Sequence, residues 1–164
     1  DYKWQVDAEL VKLDAAEMLQ MPFDQYYREY TFELSYPHTN RHEFAVETLD
    51  GEHIGNCVYY NVDLAENKSE IGIMIGNRKY WDQGYGEEVL NLLIDHVFNK
   101  YPLEQVYLTT LTWNERAQKC FKKCGFEEKG IVKRDGYQFI LMSLNRSKWE
   151  SLRQEKGKET SQVN

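Results

Sequence analysis

Residues 69–88 place a short apolar run before a glycine-rich turn, and this stretch offers the clearest chemistry in the chain. Residues 71–75 are apolar, polar residues follow, and Gly84-Tyr85-Gly86 then opens a segment with helical spacing. Glycines let a backbone approach a ligand closely, and the first N–H groups of a helix have no intrahelical partner. The pattern therefore favours an anion site, most naturally for phosphate. Two glycines alone could also serve tight packing between the strand and the helix, which is the alternative interpretation.

A second motif follows the next strand-like run, residues 106–111. It reads Asn114-Glu-Arg-Ala117 and then Cys120-Phe-Lys-Lys-Cys-Gly-Phe126. In order, spacing and residue type, the two motifs resemble the GNAT superfamily of acetyl-coenzyme A (acetyl-CoA) dependent N-acetyltransferases, and the resemblance covers residues 43–144. Tyr80-Trp81 before the turn is similar to the branch that contains the ribosomal-protein alanine N-acetyltransferases and many small-amine enzymes.

The resemblance implies that acetyl-CoA is the cofactor and that it lies along both motifs. Its pyrophosphate would lie against backbone amides of residues 81–86 without needing a basic side chain. Its pantetheine arm would pair like an extra strand with residues 73–75. Trp81 stands where glutamine or arginine is common. Asn114 matches the asparagine that supports the pantetheine or its nearby water, and its other interpretation, as a helix N-cap, is compatible with that role. The implied cofactor-binding residues are Ile73, Met74, Ile75, Trp81, Asp82, Gln83, Gly84, Tyr85, Gly86, Asn114 and Phe121.

The candidate catalytic residues are Glu70 and Asn114, while Phe121 departs from the superfamily pattern. Many members carry a tyrosine at the position of Phe121 that protonates the leaving thiolate, and phenylalanine has no proton to donate. A thiol with a pKa of about 8.5 can leave as the thiolate, so solvent or another residue would protonate the sulfur. Glu70 could deprotonate the acceptor ammonium through water, with residues 59–61 expected at the same opening. An exposed strand-edge carboxylate is the alternative interpretation of Glu70.

Together these features predict an enzyme that moves the acetyl group of acetyl-CoA directly to a primary amine, on a small molecule or a protein N-terminus. The reaction would pass through a tetrahedral intermediate, with backbone amides stabilising the oxyanion and no covalent enzyme intermediate. The alternative is a module that binds acetyl-CoA or CoA with little catalytic activity, because Phe121 removes the usual acid. A purely structural protein would have to use both motifs for packing alone.

Hydrophobic periodicity predicts the elements that position these residues. Strand-like runs occupy residues 43–48, 53–62, 70–75, 106–111, 126–133 and 137–144. Helical spacing, partial in the first case, covers residues 6–19, 23–36, 85–100, 114–125 and 145–153. Asp-Gly turns join the first two strands and, at Asp135-Gly136, the last two, while Gly125 stands where a left-handed residue would end the helix over residues 114–125. The helix over residues 85–100 carries the chain to a parallel strand. The predicted fold class is α/β (α+β), a GNAT-type mixed, mostly antiparallel sheet flanked by helices, with a splayed parallel pair at the cofactor site.

One domain is predicted over residues 1–153, followed by a polar tail at residues 154–164. GNAT domains usually open with a strand before the helix-like residues 1–5, so the resemblance leads us to expect that an N-terminal strand is missing from this numbering. Aromatic and apolar side chains crowd the helix over residues 23–36, and core packing is the favoured interpretation, with a substrate pocket as the alternative. They are Tyr26, Tyr27, Tyr30, Phe32 and Leu34.

Composition narrows the choice of partners. The formal charge of -7 argues against nucleic acid as a non-specific partner and suits a cationic amine, although acidity also serves solubility. No apolar run approaches the roughly 20 residues of a membrane span. Three cysteines without a secretory segment favour reduced thiols, and Cys120 and Cys124 share a helical face that packing explains better than a metal or redox site. We therefore expect a cytoplasmic protein with no metal, and a homodimer is a further hypothesis.

Overall fold

The strands of this chain form one mixed sheet, and helices accompany it. The computed structural model describes residues 1–36 and 39–161. The strands are β1 (Arg41–Glu47), β2 (His53–Asp63), β3 (Lys68–Ile75), β4 (Gln105–Leu111), β5 (Glu127–Arg134) and β6 (Tyr137–Asn145). The helices are α1 (Tyr2–Gln5), α2 (Ala8–Leu13), α3 (Phe23–Leu34), α4 (Tyr85–Lys100), α5 (Glu115–Lys123) and α6 (Arg146–Ser161), with a 3₁₀ turn at Arg78–Tyr80.

Across the sheet the strands follow the order β1-β2-β3-β4-β6-β5. Within it, β3 and β4 run parallel and the other neighbouring strands pair antiparallel. The parallel pairing extends from Lys68 opposite Gln105 to Glu70 opposite Tyr107. Because β3 continues along β2 as far as Ile75, its other edge faces a gap from residue 71 onward. The predicted fold class is confirmed, including the splayed parallel pair.

Helix α4 packs its apolar stripe on the sheet and forms much of the core. Its buried residues are Leu90, Leu93, Ile94, Val97 and Phe98. Trp149 of α6 covers the end of this stripe, with its ring centroid 4.9 Å from that of Phe98. The Trp149 indole N–H also donates to Asp95 Oδ1 at 2.6 Å, so its polar atom is satisfied where the ring is buried.

The turns follow the predicted residue chemistry. Asp135 and Gly136, between β5 and β6, have φ values of 51° and 78°, the positive range that a tight hairpin turn needs. Gly125 follows α5 with φ 96°, as expected for a residue that ends a helix. The hairpin and the end of this helix are therefore confirmed.

Two expectations about the helices are wrong. None of the α3 residues is buried, and Phe32 and Leu34 are each 66% exposed, so the aromatic face of α3 does not pack into the core. Helix α6 continues to Ser161 rather than ending near Arg153. Glutamine, glutamate and lysine in its second half have good helix propensity, and no proline interrupts them. In the described ranges, no helix combines the length and apolar character needed to cross a bilayer.

Candidate active site

Two cavities meet at the gap between β3 and β4. The first, which we call the turn-side groove, has a volume of about 780 Å³ and lies between the end of β3, the residues before α4, and α5. The second, which we call the acidic cavity, has a volume of about 500 Å³ and lies against α2 and the opposite face of the sheet. Ile73, Ala117 and Phe121 line both cavities, which therefore adjoin at these residues, and we call the two together the passage.

The turn before α4 is anchored to β3 through Trp81. Its indole N–H donates to the carbonyl oxygen of Ile75 at 2.6 Å, which ties the turn to the last residue of the strand. Gly84 then caps α4 with φ 89° and offers no side-chain acceptor to the first N–H groups of the helix. A Cβ atom built at Gly84 would meet no atom within 4 Å. The glycine is therefore required by backbone conformation, and the space beside it is open for a ligand.

Helix α5 packs closely on the start of α4. A Cβ atom built at Gly86 would lie 3.4 Å from Cys120 Sγ, so a larger residue there would press on α5. The start of α5 is fixed to the end of β4, because the Gln118 side-chain amide donates to the carbonyl oxygens of Leu111 at 3.1 Å and Thr112 at 3.0 Å. Both walls of the groove are thus held by hydrogen bonds or close packing.

Asn114 lines the acidic cavity, and Phe121 lines both cavities where they adjoin. The Asn114 side-chain oxygen accepts from the Ala117 N–H at 3.3 Å, so the N-cap interpretation of this residue is correct. Phe121 is buried and packs near Phe126, with ring centroids 6.3 Å apart. A phenyl ring at this position offers the passage an apolar wall and no proton donor.

An arginine that the sequence analysis did not single out lines the turn-side groove. The guanidinium carbon of Arg116 lies 3.2 Å from the ring centroid of Trp81. Burial lowers the pKa of this guanidinium, and the nearby Asp82 opposes that effect. The sequence analysis assigned no basic side chain to the expected pyrophosphate site, yet helical spacing indicated that Arg116 lies on the packed face of its helix. Arg116 precedes Cys120 by one helical turn, and Cys120 had been placed on the packed face of this helix.

Charged residues give the acidic cavity its character. It is lined by the carboxylates of Asp1, Asp14, Glu17, Glu43 and Glu70 and by the guanidiniums of Arg41 and Arg134. Arg41 pairs with Glu43 at 3.3 Å, and the guanidinium carbon of Arg134 lies 4.8 Å from the Phe139 ring centroid. Carboxylates therefore outnumber cations around this cavity, which favours a positively charged ligand.

Glu70 lies between two tyrosines on the neighbouring strands. Strand register places it opposite Tyr60 of β2 and Tyr107 of β4. Burial raises the pKa of both tyrosine hydroxyls, and the Glu70 carboxylate raises each further. The Asn61 amide also donates to Glu70 Oε2 at 3.5 Å. Protonated hydroxyls and an amide therefore surround a carboxylate at the point where β3 and β4 separate.

The structure distributes the expected site residues over both cavities. The turn-side groove is lined by Ile73, Ile75, Trp81, Asp82, Gly84, Gly86 and Phe121, and the acidic cavity by Glu70, Ile73, Met74, Asn114 and Phe121. Gln83 and Tyr85 line neither cavity. The Gln83 amide donates to the carbonyl oxygen of Lys79, and Tyr85 packs edge-on against Tyr80 with centroids 5.1 Å apart.

Tyr59 does not face the opening, so that expectation is wrong. Its side chain is fully buried, its hydroxyl accepts from Lys100 Nζ at 2.8 Å, and its ring stacks on His42 with centroids 4.5 Å apart. Successive residues of a strand point to opposite faces of a sheet. Tyr60 therefore lines the acidic cavity while Tyr59 packs on the far side.

Comparison with known proteins agrees with this arrangement. The sequence profile described as an acetyltransferase (GNAT) domain matches residues 2–127. The chain belongs to the GNAT acetyltransferase family.

An uncharacterized N-acetyltransferase p20 from Bacillus licheniformis is 28% identical over 94 residues, which is 57% of this chain and 52% of the relative. An uncharacterized N-acetyltransferase YoaA from Bacillus subtilis (strain 168) is 25% identical over 109 residues, which is 66% of this chain and 61% of that relative. The matched stretches thus span between about half and three fifths of these relatives.

Solved structures share the GNAT fold at low sequence identity. A spermidine N-acetyltransferase from Vibrio cholerae, in complex with CoA and spermine, superposes with a TM-score of 0.75 at 19% identity, covering 90% of this chain and 89% of that one. The aminoglycoside acetyltransferase AAC(6')-Ib in complex with coenzyme A gives a TM-score of 0.74 at 20% identity, covering 93% and 91% of the two chains. At these identities the likeness concerns the fold.

Proposed function

We propose that this protein transfers the acetyl group of acetyl-CoA directly to a primary amine. The observation that carries the proposal is the pair of adjoining cavities, which extend from the open turn at Gly84, along the free edge of β3, to the carboxylates of the acidic cavity. Such a passage lets a long thioester enter from one side and an amine from the other, with the reacting atoms near Ile73 and Phe121. Membership of the GNAT family and neighbours crystallised with CoA support this choice of cofactor.

The cofactor would use backbone groups more than side chains. Its pyrophosphate would be held by the first N–H groups of α4, where Gly84 leaves open space. Its pantetheine arm would be held by residues 73–75, whose edge toward β4 carries no ladder hydrogen bonds. The same free backbone N–H groups can stabilise the oxyanion of the tetrahedral intermediate. Asn114 holds the start of α5 beside the arm.

The acetyl transfer itself needs two protons removed from the nitrogen and one delivered to the sulfur. The acceptor ammonium loses its first proton to Glu70 through water, and the neutral nitrogen then attacks the thioester carbonyl carbon. The nitrogen is cationic after the attack and gives its second proton to solvent, the carbon–sulfur bond breaks, and solvent protonates the departing thiolate. Phe121 cannot serve as the acid, and a thiol of ordinary pKa does not require one.

The acceptor we propose is a small molecule that carries several positive charges. Five carboxylates and two guanidiniums line the acidic cavity, and one of those guanidiniums is already paired with Glu43. Two structural neighbours support the choice, since one was crystallised with spermine and another with kanamycin. A protein N-terminus carries one ammonium and would therefore match the net negative charge of this cavity less well.

A CoA-binding module is the second candidate, and Phe121 is the observation that favours it. In that case the passage would bind acetyl-CoA without transferring the acetyl group at a useful rate. Release of free thiol from acetyl-CoA, measured with a panel of amines, separates the two candidates. We expect release with polyamines or aminoglycosides above the rate without amine. Binding of acetyl-CoA without amine-dependent release would favour the module instead. Cytoplasmic location and a homodimer remain predictions.

A further inference from the structure

Two arginines lie over the Trp81 indole, and they differ in their partners. The guanidinium carbon of Arg78 is 5.6 Å from the ring centroid, and its nitrogens contact Asp7 at 2.7 Å and Glu9 at 2.8 Å. Arg116 is closer to the ring, at 3.2 Å. Among residues 1–36 and 39–161, its guanidinium has no hydrogen bond and no carboxylate within 4.0 Å. Arg78 thus forms close ion pairs with two carboxylates, whereas Asp82 and Glu9 act on Arg116 only at longer range.

The surroundings hold Arg116 beside the open end of α4. Trp81 is fixed by its hydrogen bond to Ile75, which gives the guanidinium a rigid surface. One turn further along α5, Cys120 packs against Gly86 in the first turn of α4. Stacking on a ring occupies the face of a guanidinium and leaves its N–H donors, which lie in the plane, available to another group.

The charges around the groove show why a cation would favour anion binding there. Glu87 and Glu115 line the same groove, in a chain whose formal charge is -7. Of the three lysines in the lining, Lys119 lies 3.8 Å from Glu115 and Lys122 lies 2.6 Å from Glu128. Within residues 1–36 and 39–161, Lys123 and Arg116 are left without a carboxylate within 4.0 Å, and of these two only Arg116 stacks on Trp81. A half-buried arginine without a carboxylate partner is therefore suited to a ligand with strong negative charge.

We propose that Arg116 binds the pyrophosphate of the CoA moiety, opposite the N–H groups at the start of α4. A guanidinium presents paired donors that match two phosphate oxygens, and the helix end supplies donors from the other side. Trp81 has a positioning role, because it holds the guanidinium in place. The inference rests on the proposed function and adds to it a specific side chain for the phosphate end of the cofactor.

A comparison of two variants with two ligands tests this assignment. Arg116→Gln and Arg78→Gln each remove one guanidinium from the same indole, and pantetheine is CoA without its phosphates. By isothermal titration, Arg116→Gln should weaken CoA binding by about 10- to 100-fold, the usual worth of a hydrogen-bonded charge. It should leave pantetheine binding within about twofold. Arg78→Gln should change the two affinities by the same factor. Arg116→Lys, which keeps the charge, should recover part of the loss, and thermal melting without ligand confirms that each variant is folded.

Three results would overturn the assignment of Arg116 and leave the proposed function standing. The first is an equal loss for CoA and pantetheine in Arg116→Gln, which indicates a structural role, and the second is no loss at all. The third is a loss for CoA that disappears with 3'-dephospho-CoA, because it would place Arg116 at the 3'-phosphate instead. A wild-type protein that binds neither CoA nor pantetheine would overturn the proposed function, and this inference with it.

Discussion

Glu70 of β3 stands directly opposite Tyr107 of β4, and this pair is the last position at which the two strands meet. Beyond it the strands separate, and the gap becomes the passage shared by the turn-side groove and the acidic cavity. A carboxylate at the branch point of the sheet is therefore close to both the proposed cofactor edge and the proposed amine site. Glu70 is the candidate base because it lies where β3 and β4 separate.

Replacing Glu70 with glutamine should slow acetyl transfer, chiefly at low pH. A positioned base typically contributes about 10²- to 10⁴-fold, and its help is most needed where the acceptor amine is fully protonated. The measurement is kcat/KM for the best amine across pH 6 to 9. Glu66→Gln is the control, because Glu66 is an exposed carboxylate that precedes β3 and pairs with Lys68. If Glu70→Gln matches the wild type at every pH, Glu70 is only a strand-edge carboxylate.

The acidic cavity should discriminate by the number of charges on the amine. Asp14→Asn and Glu17→Gln together should raise KM for a polyamine about 10-fold or more, because each lost ion pair in a partly desolvated site costs on the order of 1 kcal/mol. KM for a monoamine should change much less. Asp24→Asn on α3, away from the cavity, serves as the control. An equal change for polyamine and monoamine would remove these carboxylates from acceptor recognition.

Phe121→Tyr tests whether protonation of the thiolate limits the reaction. We expect only a modest change in kcat, since the thiolate can leave without an acid. A gain of about 10²- to 10⁴-fold would show that the missing acid had been limiting. A wild type that binds acetyl-CoA but acetylates nothing, beside an active tyrosine variant, would support the CoA-binding module. Melting curves control for the added hydroxyl, because Phe121 is buried.

The ion pair between Asp7 and Arg78 should make stability depend on acid pH. The Arg78 guanidinium lowers the pKa of Asp7 from 3.8 to about 2, with smaller help from the backbone N–H groups that Asp7 accepts at the start of α2. Between those two values the unfolded chain binds more protons than the folded one, so stability falls as pH falls. Urea denaturation at pH 5, 4, 3 and 2 should show this loss. In Asp7→Asn the same fall should be shallower, and identical curves would refute the contribution.

Much of the fold followed from local patterns in the sequence. Asp-Gly turns, the stripe of α4 and the N-cap at Asn114 each depend on residues close in the chain, and the structure confirms them. The aromatic face of α3 was misjudged because burial depends on what the rest of the chain brings against a helix, and propensity does not report that.

The residues of the candidate site were harder to predict from the sequence than the fold, for two reasons. Tyr59 and Tyr60 are adjacent, and only the register of β2 decides which of them faces the acidic cavity. The contact of Arg116 with Trp81 joins α5 to a distant turn, so the helical spacing that puts Arg116 on the packed face of α5 does not show which residue it contacts. Backbone features such as the glycine turn carry sequence signatures, whereas side chains that meet across the fold do not.

The most direct test of the account is a titration with acetyl-CoA followed by thermal unfolding, in the wild type, Gly84→Val and Gly51→Val. Both glycines have φ above 80° and no atom within 4 Å of a built Cβ, so both variants should lose a similar free energy of unfolding, about 1–2 kcal/mol. Gly51 lies in the β1–β2 turn, outside both cavities. A ligand at 100 times its Kd stabilises the folded state by about 2.7 kcal/mol. The account predicts a concentration-dependent rise in Tm for the wild type and Gly51→Val and none for Gly84→Val. No rise in the wild type at millimolar acetyl-CoA, or an undiminished rise in Gly84→Val, would contradict it.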